Sequence, residues 1–102
     1  MSKYTIVISE QAQEDLEKLS GIISDQYKSP ITSIRYLRGI FSEIKQLSRN
    51  PEIYSIQTRK SLQAYGPFPR RLNYKRMAII YNLMGKVVYI RRVIPANTIS
   101  EL

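Results

Sequence analysis

The sequence predicts an α+β fold: an N-terminal strand, an antiparallel helical hairpin, and then a three- to four-stranded, mainly antiparallel sheet. Three observations predict it. A run of β-branched residues opens the chain at Thr5, Ile6, Val7 and Ile8. Two stretches with apolar residues three and four apart follow, divided by Ser29 and Pro30. After Pro69 the pattern changes to short β-rich runs separated by a glycine-bearing turn. Helices segregated from a run of strands belong on one face of a single sheet.

Each element has a local cause. Tyr4 to Ser9 reads as a strand, apolar enough to be a buried one. Ser9 then caps a helix over Glu10 to Tyr27, and Glu10, Glu14 and Asp15 meet the positive end of its dipole. Its apolar stripe is Ala12, Leu16, Leu19 and Ile23, continued by Tyr27. Ser29 and Pro30 restart the pattern, since serine is a good N-cap and proline loses nothing at the first helical position. The second stripe is Ile34, Leu37, Phe41, Ile44 and Leu47, widened by Ile40, and this helix ends near Arg49, before Asn50 and Pro51. So short a connection around Lys28 and Ser29 makes the pair a hairpin.

From Pro51 to Pro69 the prolines and Gly66 predict a loop, with a short strand over Lys60 to Gln63. Strands follow at Arg70 to Tyr74, Met77 to Asn82 and Val87 to Ile94. The turn between the last two is Leu83, Met84, Gly85 and Lys86. Pro95 stops the last strand, and 96–102 is a short tail. The helical hairpin covers one face of the sheet and leaves the other for something else.

Composition narrows the chemistry. A chain of 102 residues, 43% hydrophobic and 24% charged, is expected to form one domain over 1–102. With no cysteine there is no disulfide or thiolate chemistry. With no histidine, acid–base work falls to a shifted Lys, Glu or Tyr, and no metal site or cofactor is expected. The first apolar run is too short for a signal peptide, and no run approaches the roughly 20 residues of a membrane span, so the expectation is a cytoplasmic protein that meets no membrane.

Charge is unevenly placed. The formal net charge is +8. Met1 to Glu52 carries seven cations and seven anions, whereas Ile53 to Ser100 carries nine cations and no carboxylate. Those nine are Arg59, Lys60, Arg70, Arg71, Lys75, Arg76, Lys86, Arg91 and Arg92. A field so segregated steers association with polyanions, whether nucleic acid or an acidic protein segment. The carboxylates of the first helix read as a solvated, dipole-favoured turn with no catalytic part.

Element order, the Arg70-Arg71-Leu72 strand opening, the strand from Met77 to Tyr81 and the closing strand from Val87 to Ile94 together resemble the RelE/ParE superfamily of bacterial toxins. The resemblance covers nearly the whole chain and is closer to the ParE-like branch. It implies the toxin of a type II toxin–antitoxin module of the plasmid-stabilisation kind, held inactive by a flexible antitoxin segment. Ribosome-dependent RNase members typically read Tyr-Arg-Val-Ile-Tyr where this chain reads Met77, Ala78, Ile79, Ile80 and Tyr81, so Ala78 stands in the place of a catalytic arginine. The basic segment such members carry after the last strand is replaced here by Ile94 to Ile99.

Two activities are weighed on that resemblance. RNA cleavage requires a base for the 2′-hydroxyl, cations for the phosphate and an acid for the leaving oxygen. The candidates are Arg70, Arg71, Lys75, Arg76, Tyr81 and Arg92, with Tyr74 as a further acid or base. The ParE-like alternative poisons DNA gyrase without being an enzyme and needs no such set. A third class is a non-toxic nucleic-acid-binding module or degenerate toxin, in which interleaved tyrosines stack bases. The expected binding surface for antitoxin or target is Arg70, Arg71, Tyr74, Lys75, Arg76, Arg91 and Arg92 on the sheet. An acidic, partly disordered antitoxin would fold across it and the helical hairpin. Adjacent strand residues point to opposite faces, so Arg91 and Arg92 cannot share one face of a regular strand.

Overall fold

A computed structural model describes residues 3–99. Strand β1 (Thr5–Ile8) leads into α1 (Glu10–Tyr27) and α2 (Pro30–Gln46). A 3-10 turn at Pro51–Ile53 and the one-turn helix α3 (Lys60–Gln63) come next. Strands β2 (Arg70–Tyr74), β3 (Met77–Met84) and β4 (Val87–Pro95) complete the sheet, followed by a 3-10 turn at Ala96–Thr98. The sheet order is β1-β4-β3-β2, with β1 parallel to β4 and the other two pairings antiparallel. The α+β class and the element order are as the sequence predicts.

The predicted caps form. Ser9 Oγ accepts from the Ala12 amide at 3.0 Å, and Ser29 Oγ accepts from the Thr32 amide at 3.3 Å. Lys28 ends α1 in the left-handed region at φ 52. Ala12, Leu16 and Ile23 of α1 are buried and Leu19 half-buried, but Tyr27 is exposed. In α2, Ile40, Ile44 and Leu47 are buried as predicted and Leu37 is half-buried, but Ile34 and Phe41 are 50% and 44% exposed and Ser33 is buried instead. Close helix contact explains the difference: Ser33 Oγ lies 3.0 Å from Ser20 Oγ and donates to the Ser20 carbonyl at 3.2 Å. A small polar side chain that reads as surface is the contact point between the helices.

Four further expectations are corrected. Strand β1 is a half-buried edge strand rather than a buried one, with Thr5 and Val7 outward, because only β4 pairs with it. Lys60 to Gln63 is helical, since no neighbouring strand supplies a ladder. β3 extends through Leu83 and Met84, so the turn shrinks to Gly85 and Lys86, with Gly85 supplying φ +60. The predicted tail is a 3-10 turn over Ala96–Thr98, and its last residues, 100–102, lie outside the described residues.

Both faces of the sheet carry a core. The helix-covered face packs Leu72, Ile79, Tyr81, Val88, Ile90 and Val93 against Ala12, Leu16 and the α2 stripe. The other face, expected to be open, is covered in part by the chain itself. Leu62 of α3 and Ile99 close over Ala78, Ile80 and Ile94, with Tyr65 beside them. Alternation along a strand makes this possible, since β3 is buried on both sides from Met77 to Asn82.

Candidate functional site

The sheet does not gather its cations into one surface. Ile80 pairs with Arg92 and Tyr81 with Ile90, which leaves Arg91 as the extra residue of a β-bulge. The bulge breaks the strict alternation that separates the two arginines. Arg91 Nε donates to Asn82 Oδ1 and its guanidinium lies 5.3 Å from the centre of the Tyr89 ring. Asn82 is fully buried and donates to the Pro67 carbonyl at 2.9 Å, and Gly66 makes room for it: a Cβ there would stand 3.0 Å from Asn82 Oδ1. Arg71, on the same face, donates to Asn73 Oδ1 at 2.8 Å.

Arg92 is spoken for. Its Nε and Nη2 reach the two oxygens of Asp15 at 2.8 and 3.1 Å, and its guanidinium lies 5.8 Å from the Tyr65 ring centre. Asp15 also accepts from the Val93 amide at 2.9 Å, occupying β4 where β1 no longer pairs with it. Donating to the Asp15 carboxylate holds the Arg92 guanidinium charged, raising its pKa despite some desolvation. Asp15 is therefore no solvated first-turn carboxylate: it ties α1 to the sheet. Sequence reasoning missed this role because a carboxylate early in a helix already has a sufficient explanation in the dipole.

Tyr81 and Ala78 are closed off. Tyr81 is fully buried and its hydroxyl donates to the Pro51 carbonyl at 2.5 Å. Burial pushes its pKa upward, a shift that Arg70 opposes and Tyr54 reinforces. Ala78 is likewise 0% exposed, inside the Leu62 and Ile99 cluster. Arg70 points to the helix-covered side at the outer strand, where Nη1 donates to the Tyr54 carbonyl at 2.6 Å and Nε is buried without a hydrogen-bond partner among the described residues.

Tyr74, Lys75 and Arg76 converge at the other end. Tyr74 pairs with Met77 to close a two-residue hairpin whose first turn residue, Lys75, has φ 53. Tyr74 lies across α2 at Gly39, where a Cβ would fall 1.9 Å from its hydroxyl oxygen. A glycine inside a helical pattern is the signal that marks such a close approach. The rings of Tyr36 and Tyr74 meet edge to face at 5.4 Å, and the Lys75 ammonium lies 5.3 and 5.5 Å from their centres. Burial, together with the neighbouring phenols Tyr74 and Tyr27, raises the Tyr36 pKa. Beside this cluster a groove of about 650 Å³ runs between α1, α2 and the hairpin, lined by Leu19, Ile22, Ile23, Tyr27, Lys75 and Arg76 among others.

Among the described residues no group of three or more His, Cys, Asp or Glu is placed to hold a metal ion, and no helix is long and apolar enough to cross a membrane.

A four-stranded mixed sheet backed by a helical hairpin is also the fold of two solved chains from toxin–antitoxin systems. A chain of the chromosomal ParDE toxin–antitoxin system of P. aeruginosa superposes with a TM-score of 0.76 at 15% identity, over 91% of this chain and 96% of that one. A chain of the toxin–antitoxin complex RelBE2 of Mycobacterium tuberculosis gives 0.58 at 19% identity, over 91% of this chain and 98% of that one. The model of the ParE toxin of the type II toxin–antitoxin system parDE matches residues 6–99, and the chain belongs to that family. No curated protein matches it in sequence.

Proposed function

We propose that this toxin arrests growth by a non-nucleolytic, ParE-like action on DNA gyrase in the cytoplasm, and that an acidic, partly disordered antitoxin segment silences it as part of a plasmid-stabilisation module. The observation that carries the reading is the closure of the sheet around the positions an RNase would use. Ala78 lies under Leu62 and Ile99, the Tyr81 hydroxyl is engaged as donor to the Pro51 carbonyl, and Arg92 is held by Asp15. Cleavage of a phosphodiester needs an acid, a base and cations around one phosphate. Of the six candidates, Arg70 lies on the helix side, Arg71 on the opposite face, and Lys75 and Arg76 at the hairpin tip. Gyrase poisoning makes no such demand, though its choice over other non-nucleolytic targets rests on family membership.

The test is induced expression followed by two assays on purified protein. Gyrase with supercoiled plasmid should accumulate cleaved DNA when the toxin is added, and translating ribosomes should leave their mRNA intact. Translation-dependent mRNA cleavage with no effect on gyrase would replace this reading with the endoribonuclease one. Growth unaffected by expression would favour the non-toxic binding module.

A further inference from the structure

Resting on the gyrase reading, we infer that the bare half of the helix-free sheet face docks on the target protein, with Phe68 as its anchor. The surface it fits is an apolar hollow ringed by carboxylates. Leu62 and Ile99 cover this face only over Ala78, Ile80 and Ile94. Beyond them the sheet is bare: Val7 stands beside Tyr89, and Thr5 and Met84 flank Val87. Val7, Met84 and Phe68 are 38%, 46% and 69% exposed.

Phe68 is held in an unfavourable conformation. Its φ is 49, in the left-handed region that a bulky side chain rarely enters, and such strain persists only where the surroundings impose it. Asn82 supplies the constraint. An asparagine buried on an apolar strand carries a cost unless its polar atoms are bonded. Its amide donates to the Pro67 carbonyl at 2.9 Å and its oxygen accepts from Arg91, so the turn that carries Phe68 is braced on β3 and β4 together. An aromatic anchor fixed in advance loses little freedom when it is buried in a partner.

Charge and apolar area together identify the partner. Strands β1, β2, β3 and β4 and residues 66–68 contain no carboxylate, and Arg71 and Lys86 at the rim have no acidic partner among the described residues. A second copy of this chain would bring the same cations and a net charge of +8. Nucleic acid would answer the cations and the two rings, but not Val7, Met84 and Val87. A protein surface with an apolar hollow and flanking carboxylates answers both.

The experiment measures binding of the full toxin to purified DNA gyrase. Phe68→Gly removes the ring while giving the backbone the residue its φ prefers, so the thermal midpoint should not fall while binding weakens about tenfold. Met84→Ser, at an exposed position, should weaken binding by a similar factor with the salt dependence intact. Arg71→Ala combined with Lys86→Ala should flatten that dependence. Arg35→Ala, at an exposed position of α2, should leave affinity unchanged. Equal affinity for wild type and all patch variants would overturn the inference and leave the gyrase reading standing. Binding to a single-stranded oligonucleotide that Phe68→Gly abolishes, with gyrase affinity unaltered, would overturn it in favour of nucleic acid. No binding of wild type to gyrase would overturn that reading, and the inference with it.

Discussion

The β4 edge and the β2–β3 hairpin tip draw their cations from the same acid-free half of the chain and use them in opposite ways. At the edge, Arg92 is consumed by Asp15 and Arg91 by Asn82 and Tyr89. At the tip, Lys75 rests on two tyrosines and meets no carboxylate among the described residues. The edge spends its charge on holding α1 to the sheet, whereas the tip keeps its charge facing water beside an open groove. A count of charges in sequence therefore overstates the surface available for a partner.

Substitutions at the closed region should cost stability, and those at the tip should cost little. The largest effect is expected for Ala78→Arg, which restores the arginine of the RNase pattern. A guanidinium under Leu62 and Ile99 has no partner there, and the loss should be about 3–5 kcal/mol in urea unfolding, without any gain of mRNA cleavage. A folded, undestabilised variant would show that this face opens readily. Next comes Asp15→Ala, which strands both the Arg92 guanidinium and the Val93 amide; a loss of about 2 kcal/mol is expected. A double-mutant cycle with Arg92→Ala separates the pair from the amide bond.

Tyr81→Phe should cost about 1 kcal/mol by leaving the Pro51 carbonyl without its donor. It should also change the response to alkali. Burial raises the Tyr81 pKa, so the folded phenol keeps its proton while the unfolded one ionises near 10.0. Its share of stability is thus fully present below pH 10 and is lost as pH rises above it, and chemical unfolding of the phenylalanine variant should lack that part of the decline. Smallest of all, Lys75→Gly should shift stability by no more than about 1 kcal/mol, and upward, by relieving the left-handed strain. A marked loss of stability there would erase the contrast between edge and tip.

Much of the fold was legible because capping and periodicity act locally. Ser9 and Ser29 start their helices as predicted, and the stripe of α1 is right as far as Ile23. What failed depended on contacts between elements. The burial of Ser33 rather than Ile34 is set by its contact with Ser20, the edge position of β1 by its pairing with β4, and the helical state of Lys60 to Gln63 by the sheet face beneath Leu62. The site is less legible still. Sequence alternation separates Arg91 from Arg92, yet a bulge invisible to periodicity re-aims them. Nothing local in Asp15 announces its arginine, and Gly39 inside a helix marks a close approach without naming Tyr74 as what approaches.

The parallel pairing of β1 with β4 joins the first element of the chain to the last strand, with Ser9 donating to the Arg91 carbonyl across 82 positions. On a ribosome the helical hairpin emerges early, but the sheet that gives it an interior cannot close until Val87 to Ile90 have been made. Contacts of such long range slow folding, because loop closure must precede any stabilisation from them. Until then the apolar stripe of α1 lacks the strand it packs on, and translation itself times the birth of the finished toxin. A pause before residue 87 would hold the chain in a form with helices but no completed sheet.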